Sequence, residues 1–92
     1  MRVTAEMSLY PLQDGPLETI LEFIETITSE SRLEVVVNQL STQVRGDLDV
    51  VMSTLTAAIE RSFGAGGPQA LVLKILNADL AVGEPPRLEP RS

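Results

Sequence analysis

Three polar side chains near the start of the sequence, Glu6, Ser8 and Tyr10, are spaced two residues apart. In an extended strand alternate residues face the same side, so these three share one face and the apolar residues between them share the other. A carboxylate, a hydroxyl and a phenol can hydrogen-bond a polar ligand, and the phenol ring can stack on a flat one. Two interpretations stay open. Either this face binds a ligand, or Glu6 pairs with Lys74 as a half-buried carboxylate must, and Tyr10 lies at the rim of the sheet.

Further polar residues flank predicted turns and helix starts. Asn38 and Thr42 could supply paired donors and acceptors to a ligand, or could equally serve the connection between two strands. Asp47 and Asp49 precede a helical segment, where carboxylates are expected for capping and for the helix dipole. The glycine-rich residues 64–67 resemble a phosphate loop but have no lysine and lead into a strand, which favours a plain turn.

Catalytic chemistry has few residues to use. The sequence has no histidine and no cysteine, which removes the commonest general base, thiolate nucleophiles, disulfides and the usual metal ligands. We therefore predict no catalytic group, no metal and no cofactor, with an enzyme that uses Glu6 or Asp47 as a base as the least favoured alternative. A net charge of −6 and only three aromatic residues argue against a nucleic-acid partner. Two interpretations of the acidic surface stay open: it suits a cationic ligand, or it serves only to keep the protein in solution.

Length and composition indicate one globular domain. The 92 residues are 43% hydrophobic and 22% charged, enough for one core. No apolar run is long enough to span a bilayer, and the first residues lack the pattern of a secretory signal. We expect a cytoplasmic protein with no membrane partner.

Hydrophobic periodicity gives the order of the elements. Residues 3–9 alternate as a half-buried strand that Pro11 ends, and residues 16–29 follow as a helix. Residues 34–38 and 42–45 are predicted as two antiparallel strands, with Gly46 stopping their pairing. The apolar stripe of the first helix is predicted to comprise Leu17, Ile20, Leu21, Ile24 and Ile27.

The second half of the chain is expected to repeat this order. Asp47 is the predicted N-cap of a second helix that ends at Gly64. Residues 70–76 are nearly all apolar, which is typical of a strand at the centre of a sheet. The proline-rich residues 79–92 are predicted to form a tail, poorly ordered or draped over a neighbour, beyond a domain of residues 1–78. The buried stripe of the second helix is predicted to comprise Leu48, Val51, Leu55, Ala58 and Ile59.

Strand, helix, strand, strand, helix, strand is the order of a ferredoxin-like βαββαβ sandwich. We therefore predict an α+β domain whose four-stranded antiparallel sheet carries both helices on one face. The other face would leave Val36, Val72 and Leu76 bare to water. A ligand, or a homo-oligomer (a dimer or a tetramer) packed through the sheet faces, is expected to cover them.

Two short motifs carry a family resemblance. Glu6-Met7-Ser8-Leu9-Tyr10-Pro11-Leu12 ends the first strand, and Leu40-Ser41-Thr42-Gln43-Val44-Arg45-Gly46-Asp47 enters the second helix. Their sequence, spacing and strand order resemble the thiamine- and hydroxymethylpyrimidine-binding YkoF-like family over residues 3–76. The resemblance implies a ferredoxin-like domain that associates through its sheets and binds thiamine or its pyrimidine precursor without transforming it.

The resemblance also implies particular binding residues. It points to Ser8 and Tyr10 in the first motif and to Thr42, Gly46 and Asp47 in the second, while Glu6 and Asn38 follow from the strand pattern alone. We predict a non-catalytic protein that binds thiamine or its hydroxymethylpyrimidine moiety for carriage, buffering or sensing. The alternative is an oligomeric interaction or scaffold module that uses the open sheet face. The sequence does not decide between thiamine, its phosphates and its precursors.

Overall fold

The computed structural model describes residues 1–85 and confirms the ferredoxin-like order of elements. β1 ends at Pro11 and β4 begins directly after the glycine- and proline-containing residues 64–68, as the sequence indicates. The elements are β1 (Arg2–Pro11), α1 (Pro16–Thr28), β2 (Glu34–Val37), β3 (Thr42–Asp47), α2 (Leu48–Gly64) and β4 (Gln69–Leu76).

The four strands form one antiparallel sheet in the order β2-β3-β1-β4. β1 is internal, and β4 is its outer neighbour at the edge of the sheet. The prediction that β4 lies at the centre of the sheet is therefore wrong. The apolar run of β4 suggested a strand buried on both faces, but only one face is buried. Leu71 and Leu73 pack against the core, while Val72 is 59% exposed on the open face.

Both helices pack on one face of the sheet, over the apolar half of β1. Val3, Ala5 and Met7 are almost completely buried, because alternate residues of a strand point to the same side. A single cluster joins them to Phe23 and Ile27 of α1. From α2 and the neighbouring strand the same cluster includes Val44, Val50, Val51, Leu55 and Ala58. No helix within residues 1–85 has the length and apolar content that crossing a bilayer requires.

The buried stripe of α1 differs from the predicted one. Leu17 and Leu21 are 67% and 55% exposed, whereas Phe23 is buried. The inward positions are Ile20, Phe23, Ile24 and Ile27, a spacing of three and four residues. The two leucines lie on another face, so counting them with the isoleucines was wrong. In α2 the stripe is correct except at Leu48, which is exposed while Val50 is buried.

Pairing between β2 and β3 ends at Arg45, opposite Glu34, so that ladder stops just before Gly46 as predicted, although the strand itself does not end there. β3 continues through it, with Gly46 opposite Val3 and Asp47 opposite Arg2. The glycine serves packing, because a methyl group there would overlap Leu33 Cδ2 and lie 3.4 Å from the carbonyl oxygen of Arg32. The connection from α1 to β2 therefore crosses β3 where β3 has no side chain.

Residues 78–85 return across the open face of the sheet, and we call them the C-terminal segment. The Thr4 hydroxyl donates to the carbonyl of Ala78 (2.8 Å) and accepts from the amide of Leu80 (2.9 Å). The Asp79 carboxylate accepts a hydrogen bond from Arg45 at 2.6 Å. Val82 is only 8% exposed. The described part of the predicted tail thus lies on the domain's own sheet, and the rest of it, residues 86–92, falls outside the described residues.

Candidate functional site

A cavity of about 380 Å³ opens where α1, the end of β1 and the connection between β2 and β3 meet. That connection, residues 38–41, is called the β2–β3 turn below, and the amide of Asn38 closes it by donating to the carbonyl of Ser41 at 2.8 Å. The volume is at the small end of the range of small-molecule sites, which is roughly 300–1,000 Å³. The cavity is lined by Met7, Ser8, Leu9, Tyr10, Ile20, Phe23, Ile24, Asn38, Gln39, Leu40, Ser41 and Thr42.

Strand lengths explain why the cavity forms there. β1 pairs with β3 only as far as Met7 opposite Thr42, but it continues to Pro11 with β4 as its partner. From Ser8 onward, β1 therefore has no ladder partner on its other side. The β2–β3 turn stands across this gap, and the isoleucines of α1 close it from the helix side.

Thr42 provides a hydrogen-bonding group inside the cavity. It is only 5% exposed and lies opposite both Met7 and Val37 on the core face of the sheet. Its hydroxyl makes no hydrogen bond with any residue in the described part of the chain. No fully buried side-chain oxygen within residues 1–85 lacks a partner, so the Thr42 oxygen must retain some accessible surface. A hydroxyl that is nearly buried, unpaired and accessible from a cavity is suited to anchoring a ligand.

Glu6 and Ser8 lie on the open face of β1 and contact the β2–β3 turn. The Ser8 hydroxyl donates to the carbonyl of Leu40 at 2.9 Å, and the Ser41 hydroxyl donates to Glu6 Oε2 at 3.2 Å. Lys74, directly opposite Glu6 on β4, places its ammonium 3.5 Å from Glu6 Oε1. The structural partner that the sequence allowed for Glu6 is therefore present.

Electrostatics keep Glu6 charged. Hydrogen bonds from Gln43 and Ser41, together with the charge of Lys74, hold the pKa of the Glu6 carboxyl below its ordinary value of 4.5. Glu6 does not line the cavity, but it accepts a hydrogen bond from the hydroxyl of Ser41, which does. No Asp, Glu, Lys or Arg is among the described lining residues, so the cavity offers no counter-ion to a phosphate.

The structure brings together four of the seven predicted site residues. Ser8, Tyr10, Asn38 and Thr42 all line the cavity, and Glu6 lies just behind it. Tyr10 lines the cavity and is 52% exposed, so its ring stands at the cavity mouth. This position is compatible both with a rim residue and with a ring that stacks on a ligand.

Gly46 and Asp47 lie at the other end of the sheet. They pair with Val3 and Arg2, four and five positions along β3 from Thr42, which is on the order of 14–17 Å in an extended strand. Asp47 is the N-cap residue of α2 by position, although its side chain makes no capping hydrogen bond. These two residues take part in the fold near the start of α2, and the structure does not bring them to the cavity.

Sequence reasoning missed the contribution of α1. Ile20, Phe23 and Ile24 form the apolar wall of the cavity. Phe23 was the available signal, because it lies four residues before Ile27 and three after Ile20 and so extends their stripe. Gln39 and Ser41 in the turn were also not predicted, and their polar side chains would have been hard to distinguish from those of any exposed turn.

Fold and cavity together define a class of protein: a ferredoxin-like α+β domain with a small, uncharged pocket at one end of its sheet. A sequence model of the YKOF-related family matches residues 2–85. The chain therefore belongs to the YKOF-related family, which confirms the resemblance seen in the two motifs.

Several solved structures share the fold. A protein of Streptococcus pneumoniae superimposes with a TM-score of 0.79 at 21% identity, covering 87% of this chain and 90% of that chain. A hypothetical protein of Methanocaldococcus jannaschii gives a TM-score of 0.74 at 26% identity, covering 85% of this chain and 81% of that one. A Thermotoga maritima protein, named for a proposed role in thiamine biosynthesis or salvage, gives 0.74 at 22% identity, covering 90% and 87%. A search of curated proteins gave no match.

Proposed function

We propose that this chain is a non-catalytic protein that binds thiamine or its hydroxymethylpyrimidine moiety, for carriage, buffering or sensing of the vitamin. The cavity with the unpaired Thr42 hydroxyl is the observation that carries the proposal. Membership of the YKOF-related family and the similarity to the Thermotoga protein support a small organic ligand of this kind.

The chemistry of the cavity wall suits an aminopyrimidine. Such a ring has two apolar faces and a polar edge, and the cavity has isoleucine and phenylalanine on one side and Asn38, Thr42 and Ser41 on the other. Amide and hydroxyl groups can both donate to ring nitrogens and accept from an amino group. The thiazolium ring of thiamine carries a positive charge, and none of the described lining residues is a cation that would repel it.

The same wall favours unphosphorylated ligands. A phosphate group is normally held by arginine, lysine or a helix N-terminus, and none of the described lining residues is a cation. Binding without turnover is part of the proposal, since the wall also lacks a carboxylate that could act as a base within reach of the ligand.

Calorimetric titration tests this function. Thiamine and the free hydroxymethylpyrimidine should each give saturable heat with the wild-type protein, and thiamine diphosphate should bind at least tenfold more weakly. Ile20→Trp fills the cavity from α1 and should abolish binding. Leu21→Trp, the neighbouring position on the exposed face of the same helix, is the matched control and should bind like wild type. No heat from either ligand at high protein concentration, or equal loss in both tryptophan variants, would contradict the proposal.

A scaffold role is the second candidate, and one observation favours it. Val72 is 59% exposed and Leu76 is 44% exposed on the part of the open face that the C-terminal segment leaves uncovered. Exposed apolar residues on one face of a strand can form an interaction surface, and here Lys74 lies between the two. Sedimentation of the wild type and of Val72→Asp would show whether this face joins copies of the chain: a dimer or tetramer that the charge dissociates supports the role, and a monomer in both contradicts it.

A further inference from the structure

The β2–β3 turn forms one wall of the cavity and is attached to β1 by side chains and not by the sheet. Backbone pairing between β1 and β3 stops at Met7 and Thr42. Beyond that point the Ser8 hydroxyl donates to the carbonyl of Leu40 at 2.9 Å, and the Ser41 hydroxyl donates to Glu6 at 3.2 Å. These two hydrogen bonds connect the turn to β1 where the ladder has ended.

The turn gains little from burial of its own apolar side chain. Leu40 is 88% exposed, so its side chain does not pin the turn to the domain. One further hydrogen bond, from the Asn38 amide to the Ser41 carbonyl, closes the turn on itself but does not tie it to β1. Apart from the Val37–Thr42 pair at the base of the hairpin, the hydrogen bonds that hold this wall against β1 within residues 1–85 are the two side-chain bonds from the open face.

Ser8 and Glu6 have their hydrogen-bonding capacity directed at the turn. Ser8 lines the cavity, but its only proton is donated to Leu40. Glu6 is separated from the cavity by Ser41, and its second oxygen faces Lys74. While these bonds are in place, Ser8 has no proton left to donate to a ligand, and the Glu6 carboxylate, which can only accept, is bonded to Ser41 outside the cavity.

We propose that Ser8 and Glu6 are positioning residues that fix the β2–β3 turn in its closed place, and that this turn is the wall that moves to admit a ligand. The ligand part of this inference rests on the proposed function. The positioning part concerns the protein without ligand and can be measured without one.

Amide hydrogen exchange in the ligand-free protein tests the positioning role. The Asn38 amide donates to Ser41, the same residue whose hydroxyl is bonded to Glu6, so we expect displacement of Ser41 from β1 to break the Asn38 bond as well. Losing one hydrogen bond of ordinary net strength should raise the opening equilibrium, and so the Asn38 exchange rate, about five- to tenfold. Ser8→Ala should produce this increase, while Ser8→Thr, which retains a hydroxyl, should restore the wild-type rate. Ser29→Ala is the matched control, because the Ser29 hydroxyl donates to Thr26 at the end of α1, away from the turn.

Glu6→Leu removes the acceptor of the second hydrogen bond and gives an independent variant. It should raise the Asn38 exchange rate by a similar factor, and the double variant with Ser8→Ala should exceed either single one. Unchanged Asn38 exchange in both single variants would overturn the positioning role, whatever happens to binding.

Titration with thiamine adds the second readout. If the turn is the moving wall, Ser8→Ala should weaken binding by up to about tenfold and accelerate both association and dissociation, because the open state is more populated. A loss of affinity with unchanged exchange would show that Ser8 contacts the ligand directly, which would also overturn the inference. If the wild type binds neither thiamine nor the pyrimidine, the proposed function fails, and the exchange measurements still decide whether Ser8 and Glu6 hold the turn.

Discussion

Two buried threonines on neighbouring strands give the sharpest test of the cavity. Thr4 is 8% exposed and Thr42 is 5% exposed, but they point to opposite faces of the sheet. The Thr4 hydroxyl makes two hydrogen bonds to the C-terminal segment, whereas the Thr42 hydroxyl makes none with the described residues. Replacing each by valine keeps the shape of the side chain and removes only the hydroxyl, so the same change should have opposite effects on folding and on binding.

The magnitudes follow from the number of hydrogen bonds lost. Thr4→Val loses two bonds of about 0.5–1.5 kcal/mol each and should lower the free energy of unfolding by about 1–3 kcal/mol. For a domain of this size 1 kcal/mol shifts the melting temperature by about 4–8 °C. A loss of about 2 kcal/mol, the middle of the expected 1–3 kcal/mol, should therefore lower the melting temperature by roughly 8–16 °C. Thr42→Val loses no bond within the fold and should leave the free energy of unfolding within about 0.5 kcal/mol of wild type.

Binding should show the reverse order. Thr42→Val removes the proposed anchor and should weaken binding of the pyrimidine by about five- to tenfold, the effect of one hydrogen bond. Thr4→Val should leave the affinity unchanged at a temperature where it is folded. Urea unfolding and calorimetric titration of the same preparations measure both quantities. If Thr42→Val destabilises the protein as much as Thr4→Val does, the Thr42 hydroxyl is satisfied inside the fold, and the reasoning about the cavity is refuted.

Three further predictions concern the fold and its charges. Gly46→Ala forces a methyl group against Leu33 and should lower the free energy of unfolding by about 1–3 kcal/mol in urea, and wild-type stability would show that the connection yields easily. Asp79→Asn weakens the ion pair with Arg45 and should speed amide exchange at Leu80 without altering ligand affinity, so unchanged exchange would mean that the pair does not hold the C-terminal segment. Hydrogen bonds from Arg32 lower the pKa of Glu30 from its ordinary value of 4.5 to about 2. The stability that the charged Glu30 adds to the fold is therefore fully present above pH 4.5 and is lost as the pH falls to about 2. Glu30→Gln should make stability less dependent on pH in this window, and identical acid unfolding profiles for the variant and the wild type would contradict this.

The fold could be predicted because each element carries a local signal. The alternation along β1, the β-branched residues of β2 and the glycine and proline between elements fix the order βαββαβ with little help from tertiary contacts. Where the prediction failed, the missing information was tertiary. β4 reads as a central strand because Val72 is apolar, and nothing local shows that this residue is exposed.

The candidate site was harder to predict for a related reason. Strand alternation correctly places Glu6 and Ser8 on the face away from the helices, but the cavity depends on where β3 stops pairing with β1. That point is Thr42, the first residue of β3, and nothing in the alternation of β1 indicates it. Phe23 closes the cavity from a helix whose rotation about its axis was predicted only approximately, since Leu17 and Leu21 also fit a helical stripe. The unpaired state of the Thr42 hydroxyl is a property of packing that no sequence pattern reports.

Ser8 and Glu6 lie on the open face of the sheet and are hydrogen-bonded to the β2–β3 turn, so they link that face to the wall of the cavity. The cavity lies between α1, the end of β1 and the β2–β3 turn, whereas the open face carries the C-terminal segment and the exposed Val72. A partner on the uncovered part of that face would approach Glu6, which already holds the cavity wall through Ser41. A contact that redirects the Glu6 carboxylate would remove one of the two hydrogen bonds that hold the turn, so we expect a partner on the open face and a ligand in the cavity to change each other's affinity by the same factor.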